Sequence, residues 1–295
     1  MEYQRFKLQK QFLKFYVIWK KRGSVSRLKE VKSYYSEKAK SYNEIFDMLY
    51  FKVYDAITWR YIDPYVPTNP NALVLDAGGG TGRWAIRMAR KGCKVILMDI
   101  SEEMLKVAAK SVEEDGLQHR IIMKRGDITK TGYEGETFDM ILCEHTLFLF
   151  KEPDILIKEL KRVLKKKARL IISAQNRYVQ SLVCLPERPS SNKVDNALSI
   201  LLRKKYSTMT KDGKVKIYTW TPNEFRTMLE RTGFHVEKIV GKGVTLPLRI
   251  SKELFMKKEY PKELFNKILQ FELTLCEKPD ALALAGHLQA IAYKP

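Results

Sequence analysis

The sequence predicts an α/β fold: a doubly wound, mostly parallel sheet of seven strands with helices on both faces. Two observations predict it. Apolar runs of strand length alternate with segments of helical spacing from residue 72 onward. The first four of these runs (72–75, 94–99, 120–125 and 138–143) each end in, or run into, an acidic residue, and the first opens into a glycine cluster. Ligands of such sheets bind at the carboxyl ends of the strands.

The glycine cluster organises the chain. Ala72-Leu73-Val74-Leu75 lacks polar alternation, as a buried strand does, and leads into Asp76-Ala77-Gly78-Gly79-Gly80-Thr81-Gly82. Apolar residues then recur at helical spacing from Trp84 to Ala89, so the glycines form a strand-to-helix turn. Glycine there tolerates positive φ and lets a ligand approach the backbone. The free N–H groups of the following helix suit a negative or carboxylate-bearing ligand. A dinucleotide fingerprint built on Gly78 and Gly80 would place its third glycine at Arg83, so that pattern fails. The pattern present is Asp76-x-Gly78-x-Gly80-x-Gly82.

The later landmarks follow in order. Lys94 to Asp99 is a second strand, its terminal carboxylate 23 residues after Asp76 and suited to accepting ribose hydroxyls. Ser101 is an N-cap for a helix whose apolar face is Met104, Leu105, Ala108 and Ala109. A third strand runs into Gly126-Asp127-Ile128, and a fourth into Glu144-His145-Thr146-Leu147.

Four strands tipped by acids in this order, over residues 72–150, resemble the class I S-adenosylmethionine-dependent methyltransferases, and the glycine pattern resembles that family's glycine-rich motif. The resemblance implies a Rossmann-like sheet and S-adenosyl-L-methionine as cofactor, with no metal. On it, Asp76, Gly78, Gly80 and Gly82 shape the methionine end of the donor, and Asp99 holds the ribose. Ile100 and Met104 match the family's helix start, and Asp127 with Ile128 meets the adenine. Glu144 and His145 lie nearest the methyl; Glu144 is counted with the cofactor-binding set. His145 is the candidate base, because histidine titrates near neutral pH. Tyr42, within a segment resembling the one that precedes the core in the small-molecule branch, would pack over the donor. A turn that often carries glycine in the family reads Lys166-Lys167-Ala168 here.

Residues 34–295 match the family's whole pattern. Ile45, Leu49, Val53, Ala56 and Ile57 give an amphipathic helix ended by Pro64 and Pro67. Pro153 opens a helix that ends in Lys165-Lys166-Lys167, basic residues suited to a helix C-terminus. The fifth strand follows at 169–173. Thr221, Pro222 and Glu224 start a helix with a capping box, stopped at Gly233. Strands at 234–240 and 287–293 complete the sheet. Two stretches, 176–217 and 242–285, break the α/β rhythm and are expected to be insertions forming a cap over the substrate, the second with a helix around 261–275.

Residues 1–33 form a separate basic amphipathic extension, with ten Lys or Arg between Arg5 and Lys32 against Glu2 and Glu30. A helix with Phe6, Phe12, Leu13, Tyr16 and Trp19 on one face can pack on the domain, lie on an anionic membrane surface, or touch RNA. The whole chain carries 54 basic against 34 acidic residues, a net charge of +20. Its longest early apolar run, Phe15 to Trp19, is too short to span a membrane. Cys93, Cys143, Cys184 and Cys276 lie far apart without metal-ligand spacing, which fits a reduced, cytoplasmic setting, with peripheral membrane attachment if the extension docks there. Glu144-His145-Thr146-Leu147 is not the tetrapeptide of amino-methylating DNA enzymes of this fold. Resemblance to quinone-type methyltransferases favours a small-molecule or lipid-like acceptor. RNA methylation and a non-catalytic donor-binding partner are the alternatives.

Overall fold

The computed structural model describes residues 46–185, 190–210, 213–245 and 257–295. The basic extension and Tyr42 lie outside them.

The central sheet has seven strands: β1 (Leu73–Ala77), β2 (Lys94–Asp99), β3 (Ile121–Arg125), β4 (Phe138–Cys143), β5 (Leu164–Gln175), β8 (His235–Lys242) and β9 (His287–Tyr293). Their order is β3-β2-β1-β4-β5-β9-β8, parallel except for β9, which runs antiparallel to both neighbours. The sheet reverses direction of winding at β1 and β4, the crevice where doubly wound folds take ligands. Strands β1, β2 and β4 are almost continuously buried, as expected where helices cover both faces.

Helices α1 (Leu49–Arg60), α2 (Arg83–Ala89), α3 (Glu102–Glu114) and α4 (Pro153–Val163) start where the local chemistry directs. Ser101 caps α3, its Oγ accepting from the Met104 N–H at 3.2 Å. Gly82 enters α2 with φ +80, a left-handed conformation that glycine adopts freely. A side chain there would press on Leu97 and Ala108, so this glycine seats α2 and α3 against β2.

The lysine run after α4 corrects an expectation. The helix stops at Val163, and Lys165 to Lys167 begin β5. Lys165 pairs with Asp139 at 2.7 Å, and Lys167 takes a φ of +61. This lysine occupies the left-handed position that a glycine would fill without strain.

The described residues of the stretch 176–217 are largely helix and strand. They form α5 (Arg177–Leu182), α6 (Ser191–Arg203) and an antiparallel hairpin, β6 (Lys205–Thr210) with β7 (Gly213–Tyr218). Val215 and Ile217 are buried in the same core as Ile141, Leu147 and Leu170. Helix α7 (Pro222–Arg231) carries the full capping box of Thr221 and Glu224. In the second stretch, α8 (Lys262–Leu275) lays Phe265, Ile268, Leu269 and Leu273 on Leu49, Val53, Tyr54 and Ile57 of α1. Glu272 of α8 is buried and accepts hydrogen bonds from the Val244 and Thr245 N–H groups and the Thr245 hydroxyl, pinning the chain that leaves β8. Among the described residues, no helix is long and apolar enough to cross a membrane.

Candidate active site

A cavity of 320 Å³ opens at the carboxyl ends of β1 to β4. The strand register sets what faces it. Ala77 pairs with Met98, and the Gly78 and Gly79 N–H groups both donate to the Met98 carbonyl, folding the glycine turn back over β2. Asp76, Gly78, Gly80, Asp99, Ile100, Met104, Asp127, Ile128, Glu144 and His145 all line the cavity. Ten residues singled out from sequence thus converge on one space. Gly82 does not line it, because its place is the α2–α3–β2 packing described above. Tyr42 lies outside the described residues.

The turn is built for close approach. A Cβ on Gly78 would fall 2.5 Å from Thr146 Oγ1, and one on Gly79 would fall 2.6 Å from the Asp76 carboxyl group. Gly80, at φ +55, has nothing within 4 Å, so its missing side chain is open cavity.

The carboxylates are differently disposed. Asp99 Oδ2 accepts from the Gly80 N–H at 3.0 Å and Oδ1 from the Ser101 N–H at 2.8 Å, holding the acid at the strand end. Burial raises its pKa against the pull of these bonds. Asp76 is buried, with Oδ2 lacking any partner. Burial, aided by Asp99 and Glu144 and opposed by a bond from the Ala85 backbone, pushes its pKa up to about 7. Asp127 Oδ1 accepts from the N–H and hydroxyl of Thr129. Glu144 is buried, one oxygen on Lys242 at 2.7 Å and the other, Oε1, unpartnered.

His145 sits at φ +53, a strained conformation for a residue with a side chain, while its N–H donates to Ser173 Oγ. Its ring lies 5.3 Å from that of Tyr54 and 4.9 Å from that of His287. Burial, then His287, Lys242 and Arg83, hold its pKa well below the ordinary histidine value. The ordinary near-neutral value, the ground on which His145 was named the candidate base, is therefore not kept in the fold, where burial favours the neutral imidazole, a form able to accept a hydrogen bond or a proton.

Sequence reasoning missed several neighbours. Arg83, where the dinucleotide pattern fails, lines the cavity, pairs with Asp55 of α1 and covers the rings of Phe46 and Trp84. Its replacement of a glycine was the signal. Thr146, Leu149, Phe150, Glu152 and Ile155 complete the wall, and no local motif marked them.

The residues fit an S-adenosylmethionine-like donor on two counts. Two residues of the lining, Asp76 and Glu144, each keep a buried carboxylate oxygen without a partner, and three successive glycines bring backbone to the cavity wall. A doubly wound sheet of this order with this glycine turn defines the class I methyltransferase fold. Residues 75–172 match the family model described as a methyltransferase domain, and the chain is an S-adenosylmethionine-dependent methyltransferase with S-adenosyl-L-methionine as its cofactor.

Among curated proteins, the chain is 26% identical to the tRNA 5-carboxymethoxyuridine methyltransferase of Escherichia coli (strain K12), over 81% of this chain and 87% of that one. It is 32% identical to the demethylmenaquinone methyltransferase of Lactiplantibacillus plantarum over 38% of this chain, spanning about half (49%) of that relative. Among solved structures, the S-adenosylmethionine-dependent methyltransferase fold from Listeria monocytogenes superposes with a TM-score of 0.57 at 18% identity, covering 81% of this chain and 97% of that one.

Proposed function

We propose that the cavity holds the donor with Asp76 and the glycine turn at its methionine end, Asp99 at the ribose, and Asp127 with Ile128 at the adenine, and that the methyl passes to a small, partly apolar acceptor. The donor supplies a methyl on a sulfonium, already activated toward a nucleophile. What the protein adds is alignment, exclusion of water and disposal of a proton. The observation that carries the reading is the composition of the wall. It combines the carboxylates of Asp76, Asp99 and Asp127 with the apolar Leu149, Phe150 and Ile155, and it includes His145 and Glu144. A neutral His145 orients an acceptor hydroxyl or amine by accepting its hydrogen bond. A second reading, an RNA nucleoside as acceptor, is favoured by the net charge of +20 and by the tRNA-modifying relative, which aligns over most of both chains.

The test is transfer from methyl-labelled S-adenosylmethionine into a cell extract separated into organic-soluble, small polar and RNA fractions. Label in the organic or small-molecule fraction is expected. Label confined to RNA overturns the small-acceptor reading and establishes the second. In parallel, calorimetric titration should show binding of S-adenosylmethionine and S-adenosylhomocysteine but not NAD.

A further inference from the structure

A second cavity, of 410 Å³, shares a wall with the first. Leu149, Phe150 and Glu152 line the donor cavity, whereas Lys151 and Pro153 of the same segment line the second. The second is cationic: Lys151, Arg177, Lys204 and Arg231 face one lining acid, Glu224. Glu224 is engaged with Arg177, Lys204 at 2.9 Å and the Thr221 N–H at 3.1 Å, and Arg231 is paired with Asp154, outside the lining, at 2.6 Å; among the described residues this leaves Lys151 as the lining cation without an ion pair.

Two buried polar groups in its lining lack partners. The Arg177 side chain is 7% exposed; its terminal nitrogens hold Glu224 and the Thr219 carbonyl, but its Nε–H donates to nothing. The Thr219 hydroxyl is likewise buried and unpartnered. Buried polar groups are normally satisfied, and leaving one unpaired costs stability. An N–H and a hydroxyl without partners, in a lining that also carries the Lys151 ammonium, match the needs of a tetrahedral oxyanion, which accepts several charge-assisted hydrogen bonds at once. The first turn of α7, with Asn223 and Glu224 in the lining, adds the positive end of a ten-residue helix.

We infer that this cavity is a phosphate-binding subsite, engaging a phosphate carried by the acceptor through Arg177, Thr219 and Lys151. The link to the acceptor rests on the reading of the first cavity as the methyl-transfer site; the binding of phosphate does not. The phosphate of a small ester and a backbone phosphate of RNA share the required chemistry.

The full-length chain is titrated calorimetrically with inorganic phosphate, with a small phosphomonoester, and with a short oligouridylate, at fixed ionic strength. Saturable phosphate binding is expected, weakened at least about fivefold by Thr219→Val and by Lys151→Ala. Thr219→Val should not lower the melting temperature, because the hydroxyl it removes has no protein partner. A purely structural role would therefore leave phosphate affinity unchanged. Oligouridylate binding tighter than phosphate and falling steeply with salt identifies RNA as the source; equal or weaker binding identifies a small ester. No saturable phosphate binding, or binding indifferent to both substitutions, overturns the inference. Titration of S-adenosylmethionine into the same variants keeps the two readings apart. Failure of the donor to bind would count against the first cavity alone.

Discussion

The ammonium of Lys242 lies 2.7 Å from Glu144 Oε2, and both side chains are shut off from solvent. Lys242 ends β8 and Glu144 follows β4, so the pair reaches across two intervening strands at the sheet's carboxyl edge. The Tyr54 ring lies 4.7 Å from the same ammonium. Deleting one member of a buried pair strands the other charge in a low-dielectric interior. Lys242→Met is expected to destabilise the chain by about 3–5 kcal/mol, and the double variant Lys242→Met with Glu144→Gln should recover most of that loss. Urea denaturation measures both. Equal losses in the single and double variants would show that the ammonium acts through packing and not through its charge.

Donor affinity should depend on pH through Asp76. Its carboxyl group, with a pKa of about 7, is protonated in a large part of the molecules at neutral pH. An ammonium on the donor would favour the carboxylate, so binding releases a proton. Affinity for S-adenosylmethionine should then rise with pH between roughly pH 6 and 8, approaching a tenfold gain per pH unit on the acid side. Asp76→Asn should flatten that profile. Calorimetry in buffers of different ionisation enthalpy counts the protons released, and a count of zero at pH 6 would remove Asp76 from the donor contact.

The histidine pair should make the fold sensitive to acid. Burial, with Lys242 beside it, lowers the pKa of His287 from 6.5 to about 3, and His145 is lowered in the same direction. The unfolded chain therefore binds more protons than the folded one below pH 6.5. Stability is fully present above that value and is lost as pH falls toward 3. Asp76 and Asp99 work oppositely, since burial raises both folded pKa values, so the comparison belongs in a chain carrying Asp76→Asn and Asp99→Asn. There the melting temperature should fall steadily from about pH 6.5 to 4.5, and His287→Asn should reduce the slope. Glu159 and Glu224, both held at about 2, add their losses only below the ordinary glutamate value of 4.5.

Two glycines of the turn should respond differently to alanine. At Gly80 the new methyl meets nothing in the protein, so Gly80→Ala should cost only the left-handed backbone strain, about 1–2 kcal/mol. That methyl would stand in donor space, and affinity for S-adenosylmethionine should fall more than tenfold, on the order of 1.4 kcal/mol or more. At Gly78 the methyl would strike the Thr146 side chain as well as straining the backbone. Gly78→Ala should thus lose more stability than Gly80→Ala. Thermal melts without donor rank the two, and donor titration completes the comparison.

Much of the fold and of the donor cavity was legible because its signals are local. Capping by Ser101, the Thr221–Glu224 box, proline at the start of α4 and α7, and the glycines of the turn each act within one helical turn of the residues that encode them. Apolar strands that end in Asp76, Asp99 and Glu144 bring their acids together once the strands lie parallel, so ten of the residues named from sequence meet at one cavity. The lysine run at 165–167 was misread as a helix end because its charge suits a helix C-terminus, whereas the left-handed φ at Lys167 is a property of the folded strand alone.

Tertiary structure decided what depends on distant segments and on burial. Glu144 meets Lys242 across 98 residues, and His287 reaches His145 only because β9 runs antiparallel between β5 and β8. Arg83 became a link to α1 through Asp55, far outside its own motif. The cationic cavity draws on the segment after β4, on α5, on the β6–β7 hairpin and on α7, none of which carries a phosphate motif of its own. The ionisation of Asp76 and His145 was likewise invisible in the chain, since both shifts come chiefly from desolvation, which only a packed interior imposes.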